Sequence, residues 1–350
     1  MKIVIGTVQV PFVIGGAEFL AKNLQLALCE AGHEAEIVTM PFMDNPLSQI
    51  EDHIVAARLM NQEWSWGGRA DLFIGLKFPA YYMPHPNKVV WALHQHRAAY
   101  DLFNTEFSNI KDTVDGRKVR RIIMRADNTY LKESKRIYTI AKNVADRMQI
   151  YNGIEAQSLY HPCPDMNKFY QGTYENYILM PSRINITKRQ ILALEAFCHS
   201  KSDIKLYIVG KAEADYERRR MLDFIRERHL DKRVKYFDYV AQEEKFRLYA
   251  NARAVLFIPC DEDYGYITLE AMAAGKAVIT AQDSGGPLEF VQDGRNGIIA
   301  EPTPHSIAQA IDQLAENKNL AIQYGENAAK HLKGMNITWE NVVKELTKSE

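Results

Sequence analysis

The sequence of 350 residues lacks the patterns that define several classes of protein. It has no run of about 20 apolar residues, the length that an α-helix needs to span a membrane. Its cysteines, Cys29, Cys163, Cys198 and Cys260, show no C-x-x-C spacing, so neither a metal site nor a disulfide framework is predicted. We expect reduced thiols that are buried or half-buried. The net charge of −1 lacks the basic excess of a nucleic-acid-binding protein, so no nucleic-acid partner is expected.

No targeting signal is expected at the N-terminus. The segment MKIVIGTVQVPF contains one lysine and an apolar run that is too short for a secretory signal peptide. We therefore expect a cytoplasmic protein, and peripheral association with the inner face of the membrane stays open. The length favours two domains, and the contents of apolar residues (47%) and charged residues (25%) are typical of globular proteins. No pattern predicts the oligomeric state.

The most informative stretch is a predicted strand–loop–helix–strand unit in the second half of the chain. An apolar run, residues 254–259, predicts a buried strand, and an acidic loop, residues 260–266, follows it. A helix is predicted over residues 267–274, with Gly275 at the left-handed position that ends many helices. Residues 277–280 predict the second strand. The loop is therefore expected at the carboxyl edge of a parallel sheet, where open α/β sheets bind ligands.

Two carboxylates and a glycine mark this loop and helix. Glu262 lies in the loop, and Glu270 falls roughly one turn into the helix. Residues 265–268 offer backbone N–H groups that suit an anionic oxygen, and Gly265 lets a ligand approach the backbone closely. Amides that bind phosphate beside carboxylates that bind hydroxyls fit a sugar joined to a nucleoside diphosphate. The alternative is that Glu270 is an acid favoured by the helix dipole and Glu262 is a solvated loop charge.

The spacing of the two carboxylates resembles a motif of a known family. The stretch EDYGYITLE, from Glu262 to Glu270, resembles the E-x7-E motif of retaining glycosyltransferases of the GT-B architecture, and it is most similar to glycosyltransferase family 4. The following AMAAGKAVITAQDSGGPLEFVQDGRNGIIAEP is similar to the downstream pattern of that family, and Tyr264 stands where the family often has phenylalanine. The resemblance covers nearly the whole chain and is most specific between Arg183 and Gly297.

The resemblance implies an α/β fold with two Rossmann-like domains and an interdomain cleft. An N-terminal acceptor domain is expected over residues 1–162 and a nucleotide-sugar-binding domain over residues 165–337, with a proline-rich linker between them. The C-terminal helix, residues 338–350, is expected to cross back onto the first domain. The cleft would hold the donor, and closure of one domain on the other would exclude water.

A glycine-bearing loop follows the first predicted strand. Residues 2–9 predict that strand and residues 17–31 the next helix, a Rossmann-like opening without the G-x-G-x-x-G pattern of dinucleotide sites. The tetrapeptide GGAE, which begins with Gly15 and Gly16, resembles the G-G-x-E loop of the family. The resemblance implies that these two glycines lie near the donor diphosphate. The alternative is a flexible loop before a helix.

Two histidines follow the strand predicted over residues 88–93. His94 stands directly after its apolar run, with His96 two residues on and Arg97 beside it. The resemblance implies a histidine near the anomeric region of the sugar, and His94 matches that position best. Because alternate residues of a strand share a face, His96 stays open as the residue that faces the sugar or the donor phosphate. A structural role in hydrogen bonding is the alternative for both.

A basic loop follows the strand predicted over residues 176–180. Arg183 and Lys188 lie five positions apart in this loop, and together they would hold two positive charges against a pyrophosphate without a metal. They match the donor-phosphate pair of the family, and a solvated basic loop is the alternative. Further along the chain, Tyr239 and Val240 align with the segment that recognises the nucleobase in the family.

The resemblance and these patterns together predict a metal-independent retaining glycosyltransferase. No cofactor is expected, because the nucleoside-diphosphate sugar is a substrate. UDP-sugar is the first expectation for the donor and GDP-mannose the second. The acceptor is expected to be a glycan or a lipid-linked molecule in the biosynthesis of cell-surface polysaccharide or lipopolysaccharide. The one D-x-D spelling, Asp261-Glu262-Asp263, lies inside the E-x7-E loop, so no metal site is predicted.

The predicted site residues fall into a catalytic group and a donor-binding group. The catalytic group is His94, Glu262, Arg183 and Lys188. The donor-binding group is Gly15, Gly16, His96, Tyr239, Val240, Gly265, Tyr266, Ile267 and Glu270. Glu262 is expected to fix the sugar ring and Glu270 to accept hydrogen bonds from the ribose. The resemblance implies departure and attack on the same face of the sugar, so no covalent nucleophile is assigned.

Two other functions stay open at the level of sequence. A non-hydrolysing UDP-sugar epimerase of the same architecture would need acidic residues acting as acid and base near C2 of the sugar, and the sequence shows no such group of residues. A non-catalytic subunit that binds a nucleotide sugar would carry the same motifs and would bind the donor without turnover.

Overall fold

The alternating strands and helices that the sequence predicts form two α/β units in the computed structural model, which describes residues 1–12 and 15–348. The first unit contains Met1–Pro164 and the stretch Thr338–Glu350, and the second contains Asp165–Ile337. Each unit is built around a six-stranded sheet whose neighbouring strands run parallel. The predicted fold class, α/β with two Rossmann-like domains, is therefore confirmed.

The first unit alternates strands and helices along the chain. Its strands are β1 (Lys2–Gln9), β2 (Glu34–Pro41), β3 (Trp64–Ser65), β4 (Gly68–Arg69), β5 (Leu72–Gly75), β6 (Lys88–Ala92), β7 (Arg136–Thr139) and β8 (Gln157–Ser158). The helices in the same part of the chain are α1 (Gly16–Glu30), α2 (Ser48–Leu59), α3 (Val114–Tyr130) and α4 (Lys142–Asn152). The main sheet has the order β2-β1-β5-β6-β7-β8, and β3 pairs with β4 as an antiparallel hairpin.

Strand β1 lies inside this sheet because apolar side chains occupy both of its faces. Ile3, Ile5 and Val8 are each at most 2% exposed, as expected for a parallel strand that helices cover on both sides. Helix α1 buries Leu24 completely, and the chain leaves the helix through a left-handed Gly32 with a φ of 86°. This βαβ unit places the loop after β1 at the carboxyl edge of the sheet.

The second unit repeats the same alternation. Its strands are β9 (Tyr177–Pro181), β10 (Lys205–Val209), β11 (Val234–Phe237), β12 (Ala254–Leu256), β13 (Val278–Ala281) and β14 (Gly297–Ala300). Its helices are α5 (Gln190–His199), α6 (Asp215–Glu227), α7 (Gln242–Asn251), α8 (Tyr266–Ala273), α9 (Pro304–Glu316) and α10 (Lys318–Gly334). The strand order is β11-β10-β9-β12-β13-β14, so β9 and β12 lie at the centre of the sheet.

Helix α11 (Trp339–Thr347) completes the first unit. The centroid of the Trp339 ring lies 6.4 Å from that of Trp91 and 6.0 Å from that of His161. The Tyr138 hydroxyl on β7 donates to the backbone oxygen of Glu345 at 3.2 Å. Aromatic packing and hydrogen bonds to β7 therefore hold the C-terminal helix against the N-terminal sheet.

The predicted and observed boundaries agree closely where helix periodicity and end signals coincide. The helix predicted over residues 17–31 is α1 (Gly16–Glu30) and the helix predicted over residues 267–274 is α8 (Tyr266–Ala273), so each differs by one residue at both ends. The sequence patterns do not predict helix α10 or the short strands β3, β4, β8 and β14. Strands of two to four residues carry little periodicity. Within the described ranges, none of the helices combines the length and the apolar character needed to cross a bilayer.

The expectation for the cysteines is wrong at two positions. Cys163 is buried and Cys260 is half-buried, as expected. Cys29 and Cys198 are exposed instead. Both lie near the C-terminal ends of helices, α1 and α5. The spacing of cysteines in the sequence does not show whether a thiol on a helix is buried or exposed.

Candidate functional site

The second sheet has a change of strand order at its centre, between β9 and β12. The chain proceeds from β9 to β10 on one side and returns to β12 on the other side of β9. The loops that follow β9 and β12 therefore leave the carboxyl edge in different directions. Such a switch point opens a crevice in which doubly wound α/β sheets bind ligands. The predicted basic loop follows β9, and the predicted E-x7-E loop follows β12.

A charged pair joins these two loops. Lys188 donates a hydrogen bond from Nζ to Oε2 of Glu262, and the two side chains are 13% and 25% exposed. The ammonium also lies 5.8 Å from the centroid of the Phe257 ring. The backbone N–H of Cys260 donates to the carbonyl oxygen of Thr187 at 2.8 Å and ties the loops together a second time. A lysine ammonium has three donors, so Lys188 can serve Glu262 and an anionic ligand together.

The backbone around Glu262 is fixed by the loop that follows β13. Its N–H donates to the carbonyl oxygen of Ser284 at 2.9 Å, and its carbonyl oxygen accepts from the N–H of Gly286 at 2.7 Å. Gly285 has a φ of 71°, and a Cβ at this position would lie 2.5 Å from the carbonyl oxygen of Glu262. These hydrogen bonds and the close approach at Gly285 therefore fix the position of the Glu262 backbone against the SGGP segment.

Gly265 forms the transition from this loop to α8. It is the N-cap of the helix and has a φ of 82°, in the left-handed region that favours glycine. An added Cβ would lie 2.9 Å from the ring of Phe257. Tyr266 begins the helix and Ile267 follows it in the first turn, where backbone N–H groups point out of the helix end. The loop and the helix thus combine a close backbone approach with a helix N-terminus, which suits an anion.

Glu270 lies inside the unit and has two internal donors. The residue is 6% exposed, and its Oε1 accepts from Nζ of Lys245 at 2.6 Å. Its Oε2 accepts from the hydroxyl of Tyr249 at 2.5 Å. Both donors come from α7, which the sequence does not link to the E-x7-E motif. Each carboxylate oxygen keeps a second lone pair, so the predicted contact with a ribose stays a prediction.

The two members of the predicted phosphate-binding pair have different partners. Arg183 is 59% exposed and forms an ion pair with Glu213 at 2.6 Å. Lys188 instead faces Glu262. A basic residue that the sequence analysis did not assign, Arg189, binds both oxygens of Asp283 at 2.7 and 2.6 Å. That pairing braces the loop after β9 against the loop after β13, and hydrogen bonding to Asp283 raises the pKa of Arg189.

The predicted base-binding residues follow β11 at the same carboxyl edge. Tyr239 is 84% exposed and Val240 is half-buried. Strand β11 is two strands away from β9 in the sheet. An exposed aromatic ring at this edge is chemically suited to stack on a base, and its assignment to base recognition stays a prediction.

In the first unit, the two predicted histidines line a cavity at the carboxyl edge. The cavity has a volume of about 580 Å³ and is bordered by residues that follow β1, β2, β5 and β6. His94 has its Nδ1 2.6 Å from the carbonyl oxygen of Gln95. The His96 ring packs between Phe42 and Phe78, and burial lowers the pKa of His96 to about 4. His96 is therefore uncharged at neutral pH.

The predicted glycine loop begins α1 in the same unit. Gly15 is the N-cap, and its N–H donates to Oε2 of Glu18 at 2.7 Å, while Gly16 is the first residue of the helix. Glu18 thus caps the start of the helix by accepting from the backbone of the N-cap residue. The preceding residues 13 and 14 lie outside the described part of the chain.

Comparison with known proteins finds similarity to a family of enzymes within the second unit. Residues 165–331 match the family model for glycosyl transferases group 1. The relatives include the alpha-1,3/1,6-mannosyltransferase ALG2 of Dictyostelium discoideum, 31% identical over 126 residues, which are 36% of this chain and 30% of that protein. The D-inositol 3-phosphate glycosyltransferase of Corynebacterium glutamicum is 30% identical over 103 residues, 29% of this chain and 24% of that protein. The chain thus spans less than a third of the length of these two curated relatives.

Solved structures resemble the chain over its whole length. HepE from Anabaena in complex with UDP-glucose has a TM-score of 0.72 at 17% identity, with 99% of this chain and 98% of that chain covered. Sucrose-phosphate synthase from Thermosynechococcus elongatus has a TM-score of 0.76 at 16% identity, with coverages of 99% and 97%. The fold of the chain is therefore that of GT-B glycosyltransferases.

Proposed function

We propose that the protein is a hexosyltransferase that moves a sugar from a nucleoside-diphosphate sugar to an acceptor. The observation that carries this proposal is the Lys188–Glu262 pair at the central switch point of the second sheet. Glu262 lies in the loop that leads into α8, and both residues fall within the segment that matches glycosyl transferases group 1. A cation, a carboxylate and helix amides at one sheet edge supply what a diphosphate and a sugar require.

The donor is proposed to lie along the carboxyl edge of the second unit. Lys188 and the amides of Tyr266 and Ile267, in the first turn of α8, bind the diphosphate. Arg183 leaves its ion pair with Glu213 and binds the diphosphate as well. Glu262 accepts from hydroxyls of the sugar, and Glu270 accepts from the ribose. Backbone at Gly265 allows the diphosphate to approach closely. Tyr239 and Val240 contact the base.

UDP-sugar is the first proposal for the donor and GDP-mannose the second. HepE is described in complexes with UDP and with UDP-glucose, which supports the first. The description of ALG2 as a mannosyltransferase keeps the second open. We propose that the chain belongs to glycosyltransferase family 4, and the E-x7-E spacing between Glu262 and Glu270 supports this proposal.

The proposed reaction retains the configuration at the anomeric carbon and uses no metal or cofactor. The bond between that carbon and the diphosphate oxygen breaks, the acceptor oxygen forms its bond on the same face, and the acceptor proton passes to the leaving phosphate. Lys188 and the helix amides stabilise the negative charge that develops on the diphosphate. His94, with Gly15 and Gly16, is proposed to contact the donor from the first unit. No covalent nucleophile is needed.

The acceptor is proposed to be a glycan or a lipid-linked molecule, in the biosynthesis of surface polysaccharide or lipopolysaccharide. A structural neighbour, WaaG, is described as a glycosyltransferase involved in lipopolysaccharide biosynthesis, which supports this class. Peripheral contact with the inner face of a membrane fits a lipid-linked acceptor. Residues 12–18 and the segment after His96 are proposed to select the acceptor.

The decisive experiment measures release of nucleoside diphosphate from UDP-glucose, UDP-N-acetylglucosamine, UDP-galactose and GDP-mannose in the presence of EDTA. We expect turnover with one donor and a strong loss of turnover in Glu262→Gln, with nucleotide binding largely kept. Asp223→Asn is the matched control, because it removes a carboxylate from an exposed ion pair with Arg226 in the same unit. Full activity of Glu262→Gln would remove the catalytic assignment, and binding without turnover of any donor would favour a non-catalytic subunit.

A further inference from the structure

The cavity in the first unit has the size and composition of a small-molecule site. Its volume of about 580 Å³ lies within the roughly 300–1,000 Å³ that such sites occupy. Phe42 and Phe78 form an apolar wall, and the charged or polar side chains of the lining include Asp44, Lys77 and His96. These residues follow β2, β5 and β6 at the carboxyl edge of the sheet.

His96 presents a polar atom with no use in the fold. Its Nε2 is inaccessible to solvent and has no hydrogen-bond partner among residues 1–12 and 15–348. The ring is held by Phe78 at a centroid distance of 5.0 Å and by Phe42 at 5.9 Å. A buried polar atom without a partner lowers stability, and native structures keep few of them. His96 borders the cavity, so a ligand hydroxyl completes the hydrogen bonding of Nε2 once the imidazole ring turns toward the cavity.

Lys77 presents a positive charge to the same cavity. Its side chain is half-buried, and burial lowers the pKa of its ammonium group. Within the described ranges, no carboxylate oxygen lies within 4 Å of Nζ, and the charge of Glu18 acts on it only from farther away. Arg97, in contrast, is bound to Asp101 at 2.9 Å. Lys77 is thus a partly desolvated cation for which an anionic ligand group supplies a counter-charge.

We propose that this cavity binds an acceptor sugar that carries an acidic substituent, either a carboxylate or a phosphate. Lys77 binds the acidic group, Asp44 and His96 bind ring hydroxyls, and Phe78 packs against the apolar face of the ring. The inference rests on the proposed transferase function, which requires a second substrate. A neutral hexose would use Asp44 and His96 but would leave Lys77 without a counter-charge.

The test measures binding of four probes to the full-length protein by isothermal titration calorimetry: glucose, glucuronate, glucose 6-phosphate and inorganic phosphate. We expect one or both acidic sugars to bind roughly tenfold more tightly than glucose, the factor that one charged hydrogen bond contributes. Lys77→Met should remove this preference. Lys132→Met, an exposed lysine of the same unit, should keep it. His96→Phe should weaken all three sugars.

Control measurements separate this inference from the proposed function. UDP affinity and thermal unfolding should be unchanged in Lys77→Met, which shows that the variant is folded and still binds the donor. Equal affinities for glucose and the acidic sugars in a protein that binds UDP would overturn this inference alone. Inorganic phosphate binding as tightly as glucose 6-phosphate, or competition between UDP and glucuronate, would also overturn it. Failure of every nucleotide to bind would overturn the proposed function instead.

Discussion

The ammonium group of Lys188 is hydrogen-bonded to the carboxylate of Glu262, and this contact joins two loops that are far apart in the sequence. The loops follow β9 and β12, which are neighbours at the centre of the second sheet. Neither residue alone distinguishes a binding site from a solvated loop. Their pairing at a switch point, beside a helix N-terminus, brings a cation, a carboxylate and backbone amides together in a candidate ligand-binding site.

Removal of the Lys188 charge should weaken nucleoside-diphosphate binding. A hydrogen bond to a charged group contributes about 1.5–3 kcal/mol, so we expect Lys188→Met to raise the Kd for UDP about tenfold to a hundredfold. Calorimetric titration with UDP measures this change. Lys211→Met is the control, because Lys211 is exposed in the same unit. An unchanged Kd for Lys188→Met would support a solvated loop without a role in binding.

Addition of a methyl group at Gly265 should damage the same site through packing. Gly265→Ala and Gly294→Ala both place alanine at a positive φ, 82° and 67°, which costs about 1–2 kcal/mol. Only the first methyl meets a neighbour, the Phe257 ring at 2.9 Å, whereas nothing lies within 4 Å of the second. Overpacking costs about 1–3 kcal/mol more, so Gly265→Ala should unfold at lower urea concentration than Gly294→Ala.

The two glycine variants should also differ in function. We expect Gly265→Ala to lose UDP affinity, because its methyl displaces the loop that carries Glu262, and we expect Gly294→Ala to keep it. Equal UDP affinities in the two variants would show that the backbone at Gly265 does not approach the ligand.

A buried carboxylate in the first unit should make stability depend on pH. Burial raises the pKa of Asp127 from 3.8 to about 6, although the hydroxyls of Tyr81, Tyr82 and Tyr100 donate to it. A raised pKa means that the folded state holds the proton more tightly than the unfolded chain. This contribution to stability is therefore complete below about pH 4 and is lost as the pH rises through about 6, by at most about 1.4 kcal/mol per pH unit.

Urea unfolding of wild type and Asp127→Asn between pH 4 and pH 7 isolates this contribution. The difference in unfolding free energy between the two proteins should change with pH in that window, because only the wild type titrates at this position. Asp115→Asn, an exposed acid at the start of the same helix, controls for ordinary surface charge. Parallel pH profiles for wild type and Asp127→Asn would contradict the raised pKa.

The sequence predicted features that lie close together along the chain. Glu262, Gly265 and Glu270 fall in one contiguous motif, and the helix that carries Glu270 begins within a residue of its predicted start. The helix predicted over residues 17–31 is observed as α1, and Gly32 follows its end in a left-handed conformation. Local pattern and local geometry agree in these segments.

Contacts between distant segments could not be predicted in the same way. Lys245 and Tyr249 hold Glu270 from another helix, and Arg183 pairs with Glu213 rather than acting beside Lys188. The spacing of charges in one loop does not reveal such partners, because the order of strands in the sheet decides which loops meet. The cavity around Lys77 was missed for the same reason, since its walls come from segments after four strands.

Cys260 offers a chemical probe of the loop between β12 and α8. The residue is half-buried, and its N–H donates to the carbonyl oxygen of Thr187 at 2.8 Å. A nucleotide bound at Lys188 and Glu262 should hold these loops closed over the thiol. At a UDP concentration about ten times Kd, roughly nine tenths of the molecules are occupied, so alkylation of Cys260 by iodoacetamide should slow about tenfold.

Cys29 and Cys198 are exposed and serve as controls within the same molecule, because mass spectrometry follows each thiol separately. Slowing at Cys260 with unchanged rates at the other two thiols places UDP at this loop, and equal rates at Cys260 with and without UDP would place the nucleotide elsewhere.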